Sequence, residues 1–370
     1  MSDAPLVSTP PDEVLVVVTR RIGDVLLAAP LIRSLRNAWP GTSIDALVFE
    51  GTQGALASNP DVRRVLTIPE RPPPRRHLEL LASVFRRYAL ALSLIPGDRP
   101  TLYAYIAGRR RAGLLTPSRK EAWKQKLLHA WVPFDNLNTH TVRMHLALAA
   151  RLGVAPTSEM PVAWLEEDAR HVDWMLRDTR AQRLAVFHAY PKYRYKMWPQ
   201  AHWIALGRAL AQRGYRIALT GSPDAAEMRY LSELASELPP TTLNAAGALT
   251  LSGSACLVSR AAVYVGTDTA MTHIAAALGV PTVALFGPSN PVKWGPWPRG
   301  HSPESNPWRR CGSQRVGNVI LLQGAQACVP CLLEGCDRHV DSLSDCLLHM
   351  PPEKVLAAIA AFEQDANAPV

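Results

Sequence analysis

No stretch of this 370-residue chain approaches the roughly 18 unbroken apolar residues of a membrane-crossing helix, so no such span is expected. The opening residues, MSDAPLVSTPPDE, are acidic and proline-rich and lack the basic and apolar regions of a secretory signal, which predicts a cytoplasmic chain. Asp-X-Asp is absent throughout, and with it the usual carboxylate clamp for Mg²⁺ on a diphosphate. Cysteine is scarce: there are six, and four of them crowd between 328 and 346. In a reducing compartment that spacing points to a metal site or free thiols more than to disulfides. Acidic residues are outnumbered, 31 against 40 basic, giving a net charge of +9. The isoelectric point is near 9.4. An anionic partner follows, whether nucleic acid, a phosphorylated metabolite or an acidic membrane surface, and charge alone does not choose among them.

What is present is best read from residues 262–298. An apolar run, Ala262 to Gly266, leads into Thr267-Asp268-Thr269, then a helical stretch that stops at Gly279 before Pro281, then a second apolar run, Thr282 to Phe286. This is strand, turn, helix, turn, strand, with Asp268 placed to cap the helix and Gly279 to end it. Strands so uniformly apolar suit a parallel sheet buried on both faces. The helix starts at the carboxyl edge of that sheet, where the N–H groups of Thr269, Ala270 and Met271 form an anion site. Gly287-Pro288-Ser289-Asn290-Pro291 is a second donor-rich loop at the same edge.

The rest of the chain repeats the pattern. Val14–Thr19 reads as a buried strand, followed by a helix from about Val25 to Ala38 with Leu27, Leu31 and Leu35 on its core face, and by a strand at Ser43–Phe49. Pro30 lies too far into that helix to be an N1 proline and predicts a kinked or irregular first turn. A strand at Val65–Ile68 and a proline loop at 71–76 precede a region crowded with Arg109, Arg110, Arg111, Arg119, Lys120, Lys124 and Lys126. That crowd is either a solvated face or a docking surface for a phosphorylated acceptor. Gly153 to Pro161 reads as a linker and Glu166 to Arg180 as a polar helix. Strands at Leu184–His188 and Arg216–Thr220 then flank a loop rich in cations and aromatics, Tyr190 to Trp198, and a helix over 200–213. The next helix opens on Ser222 as cap with Pro223 first in the helix. The expected architecture is α/β: two Rossmann-like, doubly wound domains over 1–165 and 166–350 with a ligand cleft between them. A final helix, 351–370, is expected to pack back on the first domain.

Three features are expected at the cleft: Asp24 after the first strand, Lys196, and the stretch Asp268 to His273. A carboxylate on one side and an anion cradle with a lysine on the other suit a two-substrate transfer, in which helix dipole and lysine stabilise the leaving group. Cys328, Cys331, Cys336 and Cys346 are spaced closely enough to hold a structural Zn²⁺ or Fe ion, or else form a cluster of reduced buried thiols. Cys311 could replace one ligand, while Cys256 reads as core.

Four motifs carry a resemblance that covers nearly the whole chain: RIGDVLLAAPLIRSLRNAWP with SIDALVF, then KMWPQAHW, then GTDTAMTHIAAALGVPTVALFGPSNPVKWGPWP, and finally CVPCLLEGC with SDCLLHMPPEKV. In this order they resemble the bacterial ADP-heptose:lipopolysaccharide heptosyltransferases, glycosyltransferase family 9, most of all those acting on an already heptosylated core. The resemblance implies a GT-B fold and inverting, metal-independent transfer of heptose from ADP-heptose to a lipid-anchored lipopolysaccharide core at the cytoplasmic face of the inner membrane. It implies peripheral membrane association and no nucleic-acid partner. Asp24 matches the catalytic base and Lys196 the lysine at the donor phosphates. Asp268, Thr269, Ala270, Met271 and His273 match the phosphate- and sugar-binding helix start. Leu249 falls at the adenine pocket and Glu227 at the ribose hydroxyls. The sequence departs from the family at Ala270, where many members have Gly, and in the loop 190–196, where the alignment of Lys192 against Lys196 stays open. A GT-B enzyme using another nucleotide sugar and a zinc-ribbon-like nucleic-acid-binding protein are the competing readings.

Overall fold

A computed structural model describes residues 6–7, 9–177 and 183–366. Arg180, the expected end of the polar helix, lies outside the described residues, as do parts of the N-terminal stretch and of the C-terminal segment 351–370. The chain forms two compact units, one comprising Met1–Pro161 with Gly300–Asn306, the other Val162–Arg299 with Pro307–Val370. The cut therefore falls after Pro161, a few residues before the expected 165, and a short segment far along the sequence is counted with the first unit.

The first unit is built on a six-stranded sheet of β1 (Glu13–Val18), β2 (Ser43–Phe49), β3 (Arg64–Ile68), β4 (Tyr88–Ser93), β5 (Gly108–Leu115) and β6 (Ala130–Pro133). The order is β3-β2-β1-β4-β5-β6, and all pairings are parallel. β1 is central and its apolar run Val14–Val18 is fully buried, as a strand covered on both faces requires. The helix expected from Val25 is two helices, Ile22–Leu26 and Ala29–Ala38. Pro30 is the reason: in the first turn of the second helix its missing N–H costs nothing, so the proline starts that helix instead of kinking a longer one. Leu27, Leu31 and Leu35 are fully buried.

The second unit repeats this wiring with β7 (Arg183–His188), β8 (Tyr215–Leu219), β9 (Leu243–Asn244), β10 (Val263–Thr267), β11 (Thr282–Phe286), β12 (Gln314–Val316) and β13 (Val319–Gln323). Its order is β12-β13-β11-β10-β7-β8-β9, with only β12 antiparallel. Apart from that added strand, the order matches that of the first sheet. In both units the chain leaves the first strand toward one side of the sheet and returns to the other side of that same strand with the fourth. β1/β4 and β7/β10 are thus the switch points at whose carboxyl ends such folds bind ligands. The C-terminal helix, Pro352–Ala366, lies within the second unit. Its Val355, Ala358 and Ile359 join Trp203, Leu206 and Leu322 in that unit's core. Among the described residues, no helix is long and apolar enough to cross a membrane.

One buried charge organises the first sheet. Asp45 on β2 is fully buried, with Arg63 on both carboxylate oxygens at 2.9 and 2.8 Å, Arg64 at 2.7 Å and the Tyr88 hydroxyl at 2.8 Å. Burial works against the ionised carboxyl, but the hydrogen bonds from Arg63, Arg64 and Tyr88 outweigh it and lower its pKa to about 2. The unfolded chain binds this proton more tightly than the folded one. The stabilisation, about 2 kcal/mol, is therefore complete above roughly pH 5 and is lost as the pH falls from about 4 toward 2. Asp45→Asn should lower the unfolding free energy at pH 7 by about 2 kcal/mol in urea titrations, since it removes the charge with which the partly exposed Arg63 and Arg64 pair. The gap from wild type should narrow between pH 5 and pH 3; a gap that is absent at pH 7, or constant with pH, contradicts the account.

Candidate active site

At the switch point of the second unit, the loop leaving β7 and the loop leaving β10 meet in an ion pair. Lys196 closes a short 3₁₀ turn, Arg194–Lys196, and its Nζ lies 2.6 Å from Asp268 Oδ2 and 3.5 Å from the Asp268 carbonyl. The two side chains are 19% and 9% exposed, so the charges meet largely out of water. Burial opposes the charge on Asp268, but the charge and hydrogen bond of Lys196, with a further hydrogen bond from Ser289, hold its carboxyl below the usual carboxylate range. Burial likewise opposes the ammonium, and Asp268 outweighs it and holds Lys196 above the usual lysine range. Lys196 is thus the lysine of its loop that reaches Asp268, whereas Lys192 is exposed.

Asp268 is not the helix cap that its position suggests. The helix is Ala270–Leu278, Thr269 holds the cap position in extended backbone, and no side chain caps the terminus. The pull of Lys196 takes the carboxylate that would otherwise turn back onto the helix. The N–H groups of Ala270 and Met271 are left at an uncapped, partly positive helix end. Gly279 ends the helix in left-handed conformation, φ +80°, where a side chain would be strained. Thr272 ties the turn to the strand: its hydroxyl donates to the Thr267 carbonyl at 2.5 Å and lies 3.1 Å from the Tyr264 hydroxyl.

His273 follows one turn into this helix and is buried. Its pKa falls to about 4; burial is the main cause, Asp268 opposes it and Lys196 adds to it. The ring is therefore neutral at physiological pH. Its Nδ1 and the Oγ1 of Thr267 are both buried without a hydrogen-bond partner in the protein. Buried polar atoms normally find partners, and these two lie beside the Lys196–Asp268 pair.

Glu227 and Leu249 lie on the β8–β9 side of the same carboxyl edge. Glu227 accepts a hydrogen bond from Ser222 and helps offset the burial that lowers the pKa of His188 at the end of β7. Ser222 is not the cap of the helix Ala225–Glu237. Asp224 is, accepting from the N–H groups of Ala226 and Glu227 at 3.0 and 3.1 Å. Leu249 is buried just before Thr250, whose hydroxyl caps the helix Leu251–Ser259 by accepting from Gly253 N at 3.0 Å.

In the first unit Asp24 is buried in the opening turn of the helix Ile22–Leu26, three residues beyond its cap position Arg21, and Arg20 Nε lies 3.3 Å from its carboxylate. This turn leaves the carboxyl end of β1, at that unit's switch point. The carboxylate complements the helix dipole there and is held by a charge from its own loop.

The four cysteines of 328–346 lie near one another, with Cys328, Cys331 and Cys336 all acting on Cys346. Cys346 is drawn into the second unit's core while Cys328 and Cys336 are exposed, and all are free thiols. Among the described residues, no three His, Cys, Asp or Glu side chains come together as a metal site. Burial above all, then the neighbouring Cys331, Cys336 and Cys328, push the Cys346 thiol up to about 12. Cys256 is buried, as expected of a core residue. Ser289 was missing from the sequence-derived set; its loop, rich in Gly and Pro at the same sheet edge, is the signal that could have found it.

The model of the family described as Glycosyltransferase family 9 (heptosyltransferase) matches residues 101–312, more than half of the chain. A lipopolysaccharide heptosyltransferase 3 of Escherichia coli is 28% identical over 292 residues, covering 74% of this chain and 83% of that protein. A glycosyltransferase family 9 structure from Veillonella parvula superposes with a TM-score of 0.76 at 18% identity, covering 96% of this chain and 97% of that one. An Escherichia coli heptosyltransferase solved with ADP-2-deoxy-2-fluoro heptose superposes at 0.68 with 20% identity, covering 94% and 99%. These superpositions agree with two Rossmann-like domains of the GT-B type. The chain belongs to glycosyltransferase family 9, the heptosyltransferases, and is a glycosyltransferase.

Proposed function

We propose that this enzyme transfers heptose from ADP-heptose to a hydroxyl of the lipopolysaccharide inner core, inverting the anomeric centre in one displacement without a catalytic metal. The observation that carries the reading is the Lys196–Asp268 pair, set beside an uncapped helix start at the switch point of the second unit. A diphosphate entering there meets the ammonium of Lys196 and the N–H groups of Ala270 and Met271, with neutral His273 and the hydroxyls of Thr269 and Thr267 as further polar contacts. Leu249 would face the purine and Glu227 the ribose hydroxyls.

Asp24 then serves as general base. It takes the proton from the acceptor hydroxyl as that oxygen forms its bond to the anomeric carbon, while the bond to the departing ADP oxygen breaks. Base catalysis of this kind contributes roughly 10²- to 10⁴-fold. Negative charge growing on the leaving phosphate is met by groups already in place, so little reorganisation is needed at the moment of reaction. In the absence of Asp-X-Asp, the resident lysine and helix dipole supply the positive charge that a carboxylate-held Mg²⁺ supplies elsewhere. The relative named as a heptosyltransferase 3 favours an acceptor already carrying heptose. The net charge of +9 suits peripheral, salt-sensitive contact with the anionic cytoplasmic leaflet where a lipid-anchored acceptor lies.

Asp24→Asn is expected to lower kcat by at least a hundredfold and to leave the ADP dissociation constant within about twofold; retention of more than about a tenth of the wild-type rate rules Asp24 out as the base. Lys196→Ala is expected to weaken ADP binding in calorimetry at least about tenfold. Unchanged affinity would remove Lys196 from the donor site.

A further inference from the structure

The cysteine-bearing segment 328–350 holds both loops of the anion site from behind. Ser344, itself buried, donates its hydroxyl to the Tyr195 carbonyl at 2.7 Å. Six residues on, the Met350 carbonyl accepts from the buried Trp198 indole at 2.8 Å. Lys196 is therefore bracketed by two hydrogen bonds to one short stretch. The other loop is held in the same way: Leu332 N donates to the Pro288 carbonyl at 2.9 Å, next to the Ser289 that hydrogen-bonds Asp268. Gly287 is packed so closely on the segment that a Cβ there would lie 2.9 Å from Leu347 and 3.0 Å from Cys346 Sγ.

Resting on the donor reading above, we infer that Ser344 is a positioning residue for the donor phosphates, acting through the Tyr195 peptide on Lys196. The Tyr195 carbonyl and the Lys196 N–H belong to one planar peptide unit. A hydrogen bond that fixes the carbonyl fixes the plane, and with it the direction in which the Lys196 side chain leaves the backbone. Within the 3₁₀ turn Lys196 N bonds the Tyr193 carbonyl and Met197 N the Arg194 carbonyl, and the Tyr193 and Tyr195 rings stack. Ser344 anchors it from outside. Without that anchor the ammonium can swing by the fraction of an ångström that weakens a charge-assisted contact.

The test is a double-mutant cycle on ADP affinity in the full-length protein, with an unfolding midpoint measured for each variant. Ser344→Ala should weaken ADP about fivefold in the wild-type background and by less than twofold in the Lys196→Ala background, because the lysine through which it acts is already gone. The same fivefold loss in both backgrounds, or no loss in either, overturns the positioning role. Lys196→Ala that leaves ADP affinity unchanged overturns the donor reading itself. Should the alanine variant not fold, Ser344→Thr and Ser344→Val give the same comparison. Both suit the extended backbone at this position, φ −123° and ψ 113°, and they differ in the hydroxyl alone. The Thr variant should bind ADP within twofold of wild type and the Val variant about fivefold more weakly; equal affinities overturn the inference.

Discussion

The arrangement of the second unit follows from one demand, that an ammonium and a carboxylate be held together largely out of water. A buried ion pair stabilises little by itself, because desolvating both ions offsets their attraction. Lys196 and Asp268 therefore need surroundings that keep them in register. Adjacent strands β7 and β10 deliver their loops to one point. Ser289 gives Asp268 a second donor. Segment 344–350 grips the lysine's loop on both sides. The pair also explains the bare helix start, since an aspartate committed to Lys196 does not fold back over the amides of Ala270 and Met271. Lys196 and the uncapped helix start are thus fixed by their surroundings, and that preorganisation is the property the proposed reaction relies on.

The two units use the same strand order for different electrostatic ends. Each places its candidate residue in the loop after its first strand, Asp24 after β1 and Lys196 after β7. In the first unit the deepest charge lies in the sheet itself, where Asp45 ties β2, β3 and β4 together through Arg63, Arg64 and Tyr88. That carboxylate is spent on its own arginines and holds the sheet on which Asp24 is mounted. The second unit leaves its charges at the strand ends and its core apolar, filled by Trp198, Trp203 and Phe187 packed ring against ring.

Much of this was legible in the residues. Apolar runs located β1, β2, β3, β7, β8, β10 and β11, but not β5, the longest of the described strands, whose start carries Arg109, Arg110 and Arg111 and so read as part of a basic crowd. Gly279 and Pro281 ended the helix where the structure ends it, and Pro30 signalled an irregularity that proved to be a helix boundary. Caps were the weak point. Asp268 and Ser222 were each assigned as caps, and each instead bonds another side chain: Lys196 from a separate loop in the first case, and Glu227 in the first turn of the adjoining helix in the second. The roles of Ser344 and Asp45 were beyond reach, since each depends on contacts between elements apart in the sequence. Cysteine spacing left a metal site and a cluster of reduced thiols open, and the four thiols do neighbour one another, since Cys328, Cys331 and Cys336 all act on Cys346. What the spacing did not show is that Cys346 is buried in the second unit's core while Cys328 and Cys336 stay exposed.

The central claim is that a resident lysine and a helix dipole, with no metal ion, hold the donor diphosphate. The most direct test is a calorimetric titration of ADP into the protein, in EDTA and then in excess Mg²⁺. The account predicts saturable binding in EDTA with a dissociation constant within about twofold of that in Mg²⁺. Binding that disappears in EDTA and returns with Mg²⁺ would contradict it.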